Sequence, residues 1–390
     1  MSLFKRKKNL GESALTVRMW EFTGSALLNL FVFLLLAIYL SPLVYMLATS
    51  LKEPAQQQDS NAPLYPAVNP LYTYEGRPRT VFKVPTEDGI KEWAMVTPRR
   101  TYAEFIDPQN PDAGLIRWEG NWRQLEKVYR FEISFRAFTD LWTQAKIPNV
   151  IMNTFWVALV SEIGVLAASI AVAYGFSRFR IPGGRWLFFM LIGTILIPDS
   201  ITLVPSYINF TRILNWLPTL PFYEFVNINV WPRLVDVMEF LNISFPTSTP
   251  WPWLPLIAPH FFGSAVLIFL LRQNFKSIPR DLDEAAMLDG AGPVRILISI
   301  IIPQSVPVIA TVALLHFFYV WNELRTASLY LGTRPDLRTI SFNIQTVQTL
   351  SFTPEVLQAG ALLLIAVPVL ILFLFQRFFM NDMVVTGLEK

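Results

Sequence analysis

The chain alternates between long uncharged runs and short charged or proline-rich ones. Six runs are long and apolar enough, or nearly so, to cross a membrane as a helix, which takes roughly 20 residues for about 30 Å of hydrocarbon. They fall at about residues 24–47, 150–176, 186–207, 254–271, 301–322 and 356–375. The first is free of charge between Glu21 and Lys52, the fifth between Arg295 and Glu323, and the sixth between Glu355 and Arg377. Glu162 interrupts the second run and Asp199 the third.

The segments between these runs read differently. Residues 52–148 are polar, rich in proline and aromatics, and balanced in charge. Within them "RTVFKVPTEDGIKEWAMVTPRRTY" has two short alternating runs around a "TEDG" turn, which predicts a hairpin. "NWRQLEKVYRFEISFRAFTDLWTQAK" reads mainly as helix. The segment is therefore expected to be a small folded domain. Residues 208–253 form a second insertion, with "RLVDVMEFL" as a short helix and "FPTSTPWPW" as a stiff turn whose Trp251 and Trp253 suit a membrane interface.

Composition narrows the class. The chain has 390 residues, 53% of them hydrophobic, too apolar for a soluble protein of this size. Cysteine is absent, which excludes disulfides, thiolate metal sites and cysteine nucleophiles. The two histidines, His260 and His316, lie in separate apolar stretches, so a histidine metal cluster is not expected. The net charge of +3 gives no sign of nucleic-acid binding. The first apolar run is too long for a signal peptide and reads as an uncleaved anchor.

Placing both termini in the cytoplasm puts fourteen Lys and Arg inside, against five in the shorter outer loops, as the positive-inside rule requires. The expected organisation is a cytoplasmic tail (1–23), a first span (24–50) and an external insertion (51–148). A core of five further spans (149–376) follows, carrying the external insertion 208–253 and a cytoplasmic loop 272–300. A cytoplasmic tail (377–390) ends the chain.

The loop contains "DEAAMLDGAGPVRILISIIIPQSVP" at 283–307. Residues 272–299 hold eight charges, and at roughly 3 kcal/mol each at mid-bilayer they must lie outside the lipid. The local pattern is helix–turn–helix. Ser277 and Pro279 are start signals, and Asp281, Asp283 and Glu284 favour a first turn. Gly290 and Gly292 stop that helix and Pro293 opens the next. Leu282, Ala285, Ala286 and Met287 neighbour one another on it, and the alanines permit close approach of another protein. A solvated connector accounts for the pattern equally well.

The spacing Glu284-Ala285-Ala286, then Gly290, then Ile302-Pro303, resembles the signature loop of bacterial ABC-importer permeases, in which a Leu usually stands where this chain has Ile302. "SPLVYMLATSLKEP" at 41–54, "AVAYGFSRFRIPGGRWLFF" at 171–189, "FLLRQNFKSIPRDLDEAAMLDGAG" at 269–292 and "FLFQRFFMNDMVVTGLEK" at 373–390 are similar to the maltose MalG-like, binding-protein-dependent sugar-importer branch. Residues 55–120 and most of 215–250 have no counterpart there. The resemblance implies an all-α integral membrane protein with six transmembrane helices of the type I ABC importer permease fold. An enlarged external α+β insertion would lie between helices 1 and 2.

The same resemblance implies a coupling helix that docks on a separate ATPase subunit, with Asp283, Glu284, Ala285, Ala286, Asp289, Gly290 and Pro303 as the coupling residues. It implies a second, usually different, permease subunit, an external solute-binding protein that delivers a carbohydrate or related solute, and a bacterial or archaeal inner membrane. The chain has no Gly-x-x-x-x-Gly-Lys-Ser/Thr loop, so ATP and Mg would be used by partner subunits and no cofactor is expected on this chain.

The charges inside the spans are the remaining candidates. A carboxylate at mid-membrane turns toward protein or water, so Glu162 either lines a path or partner contact, or is satisfied by Ser161 or a neighbouring helix. Asp199 follows Pro198, which bends a helix and frees carbonyls, and lines a cavity or caps a helix. Asn322, between Trp321 and Glu323, offers an amide to a sugar, while Trp321 reads as an interface anchor and His316 as packed core. Two other functions stay open: a gradient-driven secondary transporter using Glu162 and Asp199, and a membrane enzyme whose external domain, 52–148, lacks any histidine, cysteine or recognisable nucleophile motif.

Overall fold

The computed structural model describes residues 14–241, 243, 245–349 and 353–387. The amino-terminal basic patch Lys5 to Lys8 and the last three residues of the carboxyl tail lie outside them. The chain divides into two compact units, Met1–Thr139 with Thr353–Leu362, and Asp140–Phe352 with Leu363–Lys390.

The first unit begins with the helix Ala14–Ser50, which starts well before residue 24. An antiparallel five-stranded meander follows: β2 (Leu71–Tyr74), β3 (Arg77–Thr86), β4 (Gly89–Pro98), β5 (Tyr102–Ile106) and β6 (Ile116–Glu119), in that spatial order. The expected hairpin is β3–β4, closed at Thr86 opposite Gly89. Because strand side chains alternate, each sheet face collects its own core. Phe82, Val84, Trp93, Met95 and Phe105 pack on one face, and Val81, Ala94, Val96, Ile106 and Val128 on the other.

The stretch expected to be mainly helix differs. Residues 122–124 form a single 3₁₀ turn, and β7 (Arg130–Phe131) pairs with β1 (Ala67–Val68). Only Arg136–Thr143 is α-helical. Lys83 and Val128 amides bond to Glu126 and Val81 carbonyls, drawing this stretch along β3 beyond the end of β2. Burial of Val128 in the sheet core overrides its local helix propensity.

Five helical segments in the described residues are long and apolar enough to cross a membrane: Phe22–Ser50, Ile147–Arg178, Trp251–Ser277, Val306–Tyr330 and Pro354–Arg377. A sixth crossing is a broken one. Gly184–Leu196 and Asp199–Thr219 meet at 94°, within the third run expected over 186–207 and at the proline expected to bend it. Proline disfavours the helical conformation of the residue before it. Ile197 is accordingly extended, with ψ 112°, and the chain restarts as helix at Asp199.

The second span, Ile147–Arg178, is the centre of the second unit. Val165, Ala173 and Tyr174 pack with Leu267, Ile268, Leu271 and Phe275 of the fourth span and with Ile296, Ile301 and Val312. Close approach depends on Gly164, since a Cβ there would lie 2.5 Å from the Phe261 ring. "RLVDVMEFL" is helical within Trp231–Phe240. Two tryptophans expected at an interface are internal instead. Trp253 is 3% exposed and donates to Leu337 O at 2.8 Å, and Trp321 is fully buried and donates to Leu364 O at 2.9 Å. Each indole N–H finds a carbonyl in the bundle, which removes the reason for it to sit at a wet boundary.

Candidate functional site

The loop between spans four and five has the predicted helix–turn–helix form. Its helix is Asp281–Leu288, with three acids in the first turn where the helix dipole favours them. Gly290 sits at φ +79°, a left-handed conformation costly for residues with a Cβ, and the turn closes through Gly290 N to Met287 O and Ala291 N to Ala286 O. Pro293 opens the next helical turn. A widened turn, Leu297–Ile301, lies just before Pro303, whose ring would clash with a regular helix there. Pro303 itself is exposed and lies beyond the loop helix.

Among the described residues, this helix is held from one side only. Arg178, at the end of the second span, places Nε 2.8 Å from Asp283 Oδ2, both side chains being under a tenth exposed. Arg178 Nη2 also donates to Ile278 O, Arg280 Nη2 to Ser177 O, and the Tyr174 hydroxyl to Pro293 O. Asp283 is therefore turned into the protein rather than out with its neighbours. Glu284, Ala285 and Asp289 are exposed, and Ala286 is half-buried against the core. Leu288 is 90% exposed and Met287 58%. The outer face is thus small residues, an acid and bare apolar side chains, more apolar than a solvated connector needs.

A second feature is an open cavity of about 680 Å³, within the usual range for small-molecule sites. Asp199 and Asn322 both line it, with Glu323, Arg325, Tyr319 and Tyr330. The bend at Pro198 puts Asp199 there, at the start of its helix half. The Tyr330 ring lies 5.5 Å from that of Tyr207 and its hydroxyl donates to Ser206 O. Asn322 Nδ2 donates to Phe318 O, and Glu323 Oε1 accepts from Thr326 N, which fixes both side chains on the wall. Aromatic faces with carboxylate and amide acceptors suit a hydroxyl-bearing solute.

Glu162 does not line this cavity. Its Oε2 lies 2.7 Å from His316 Nδ1, and His316 Nε2 lies 3.0 Å from His260 Nδ1. Three spans are joined this way by an in-bundle hydrogen-bond chain, and a neighbouring helix rather than Ser161 partners Glu162 through Oε2, while its Oε1 is buried without a partner. Ser161 Oγ is itself buried without a partner. The histidines, 56 positions apart, are adjacent after all, yet no described group of His, Cys, Asp and Glu has the geometry to hold a metal ion. A carboxylate within a span needs a partner, and that need is the one signal in the sequence pointing to this pairing.

A family model described as binding-protein-dependent transport system inner membrane component matches residues 147–385. The osmoprotective compounds uptake permease protein GgtD of Synechocystis sp. is 25% identical over 312 residues, 79% of this chain and 93% of that protein. The sn-glycerol-3-phosphate transport system permease protein UgpE of Pectobacterium atrosepticum is 29% identical over 256 residues, 63% of this chain and 78% of that protein. The alpha-glucoside transport system permease protein AglG of Rhizobium meliloti is 26% identical over 247 residues, 63% of this chain and 58% of that protein. A solved bacterial ABC transporter involved in alginate import shares the fold, with a TM-score of 0.51 at 17% identity over 95% of this chain and all of that one. The match starts where the second span starts and takes in the loop helix, the cavity and the buried Glu–His chain. The chain belongs to the family of binding-protein-dependent transport system inner membrane components.

Proposed function

We propose that this membrane-spanning permease forms one half of the pathway of an ATP-driven importer for a carbohydrate or related small polar solute. Separate ATPase subunits bind ATP and Mg and dock on the outer face of the helix Asp281–Leu288. A second permease subunit, most simply a different one, completes the pathway, and an external binding protein delivers the solute. Both termini lie in the cytoplasm of a bacterial or archaeal cell with the chain in its inner membrane.

The observation that carries this reading is the one-sided anchoring of the loop helix. Arg178 and Asp283 tie it to the second span, while Glu284, Ala285, Met287 and Leu288 face outward. A push on that face passes through a buried ion pair into the central helix of the bundle. Asp283 is then a positioning residue, and Glu284, Ala285, Ala286 and the turn at Gly290 make the contact. Asp289 lies at its edge, and Pro303 shapes the following helix. The relatives named above carry osmoprotective compounds, alpha-glucosides or sn-glycerol-3-phosphate by their descriptions. In this chain the cavity wall has two carboxylates and one arginine, which favours a neutral, hydroxyl-rich solute over an anion.

Uptake into membrane vesicles tests the reading. ATP with the binding protein present should drive accumulation, and collapsing the ion gradients should leave it intact. Uptake that needs a gradient and ignores ATP would transfer the proposal to a secondary transporter, with the chain Glu162–His316–His260 as its proton path.

A further inference from the structure

A second cleft lies where spans two, three and four leave the bundle on the side of the loop helix. It encloses about 590 Å³ and is lined by Arg180, Arg185, Arg272 and Lys276, with the rings of Phe176, Phe179 and Phe188 between them. No carboxylate lines it, and among the described residues none of the four cations forms an ion pair with an acid. Arg272 is held in place from below, its guanidinium 3.9 Å over the Phe188 ring and its Nε donating to Phe176 O. The other three heads are exposed.

Four like charges around one cleft repel one another, and each prefers an anion or water. Arg180 lies in the turn after the second span, Arg185 in the first turn of the next helix and Lys276 in the last turn of the fourth span, so three separate elements bring these charges together. Their convergence over aromatic rings therefore points to an amphiphilic anion. Trp186 and Phe189, next to the cleft on the third span, are 71% and 68% exposed on an apolar helix, an apolar border of the kind an acyl chain would pack against. None of the residues Asp281 to Gly290 lines it, which separates it from the ATPase-facing surface.

We propose that this cleft binds the phosphodiester headgroup of an anionic membrane phospholipid, with Arg180, Arg185 and Lys276 on the phosphate and the phenylalanines against the glycerol and upper acyl chain. Basic pockets between membrane helices on the cytoplasmic side are a recurrent form of such recognition. The site concerns lipid, not solute, and stands whether or not the transport cycle proposed above is correct.

The test uses the full chain, purified with its natural partners and exchanged into nanodiscs of phosphatidylcholine with or without phosphatidylglycerol. Lipid retained after extraction into mild detergent is counted by native mass spectrometry. The wild type should hold phosphatidylglycerol selectively. The triple variant R180Q/R185Q/K276Q should bind it roughly 100-fold more weakly, at about a factor of five per cation. The charge-conserving variant R180K/R185K/K276R should stay within a few-fold of wild type, which excludes misfolding as the cause. Inorganic phosphate should not displace the lipid. Unselective retention in the wild type, or equal retention in the neutral variant, would overturn the proposal. So would displacement by inorganic phosphate, which would mark a free-phosphate site, or protection of the three cations from chemical modification by the ATPase subunits alone.

Discussion

Two buried carboxylates in the membrane unit are stabilised in opposite ways. Asp283 meets Arg178, whose charge is permanent, at the bundle's end. Glu162 meets His316 deep in the bundle, and His316 meets His260, so its counterion is a group whose charge is conditional. The first arrangement suits a rigid strut: both members are desolvated and neither can leave without exposing an unpaired charge. The second is a hydrogen-bonded chain whose imidazoles can each donate or accept. On the coupling proposed above, force at the loop helix would pass through a fixed pair, while the interior contacts are hydrogen bonds between groups of conditional charge.

The largest effect expected from breaking this contrast is at the strut. Arg178→Met leaves Asp283 buried without a cation, a loss of about 3–5 kcal/mol. The loop should become protease-sensitive and ATP-driven uptake should fall to background. Asp283→Asn, which leaves Arg178 its bond to Ile278 O, should lose less. Equal behaviour of the two variants, measured by proteolysis and uptake, would show that the pair is not the unit that matters.

Next in size is the turn. Gly290→Val puts a branched residue at φ +79°, costing roughly 1–2 kcal/mol. A Cβ there meets no atom within 4 Å, so the cost is one of backbone alone and Gly290→Asn should recover most of it. Uptake and thermal stability of the two variants check this; an Asn variant as damaged as Val would point to a steric role instead.

At the conditional pair the effects should be smaller and coupled. Glu162→Gln and His316→Gln each keep a polar partner and should cost about 1 kcal/mol, with the double variant well short of their sum. Additive thermal shifts in that cycle would deny the shared chain. A third carboxylate, in the first unit, calibrates the comparison. Burial alone would push Asp59 up, but hydrogen bonds from Tyr129, the Asn61 amide and Lys127 outweigh it and hold Asp59 below 3.8. A depressed carboxylate stabilises the fold above its unfolded-state value and loses that stabilisation as pH falls through its folded value. Acid titration should thus remove this contribution to the first unit only below the ordinary carboxylate range, and Tyr129→Phe should move that loss upward in pH. An unmoved transition would remove Tyr129 from the account.

What was legible in the chain follows the range of the interactions. The loop helix, its acidic first turn, the stop at Gly290 and the restart at Pro293 are local, and the sequence carries each of them within a few residues. The β3–β4 hairpin is local too, set by alternation around a two-residue turn. The segment around Val128 was misread because its structure comes from β3, some 45 residues earlier, and not from its own periodicity. The bend at Pro198 was half legible: the proline signals a break, but its 94° angle depends on packing. Trp253 and Trp321 read as interface anchors because a tryptophan's indole partner is invisible in one dimension. The pairing of Asp283 with Arg178 and of Glu162 with His316 joins residues 105 and 154 positions apart, beyond any local pattern. Yet each left a trace in the sequence, an ionisable group where burial demands a partner.

The most direct measurement is of what the loop helix holds. The tagged chain, extracted gently from native membranes, should bring a stoichiometric ATPase subunit and a second permease with it. Glu284→Lys should strip the ATPase while the chain and its permease partner remain together in the membrane. A wild-type chain that purifies alone or as a homo-oligomer, in detergent that preserves known complexes, would contradict the account. So would a Glu284→Lys variant that keeps both its ATPase and its uptake.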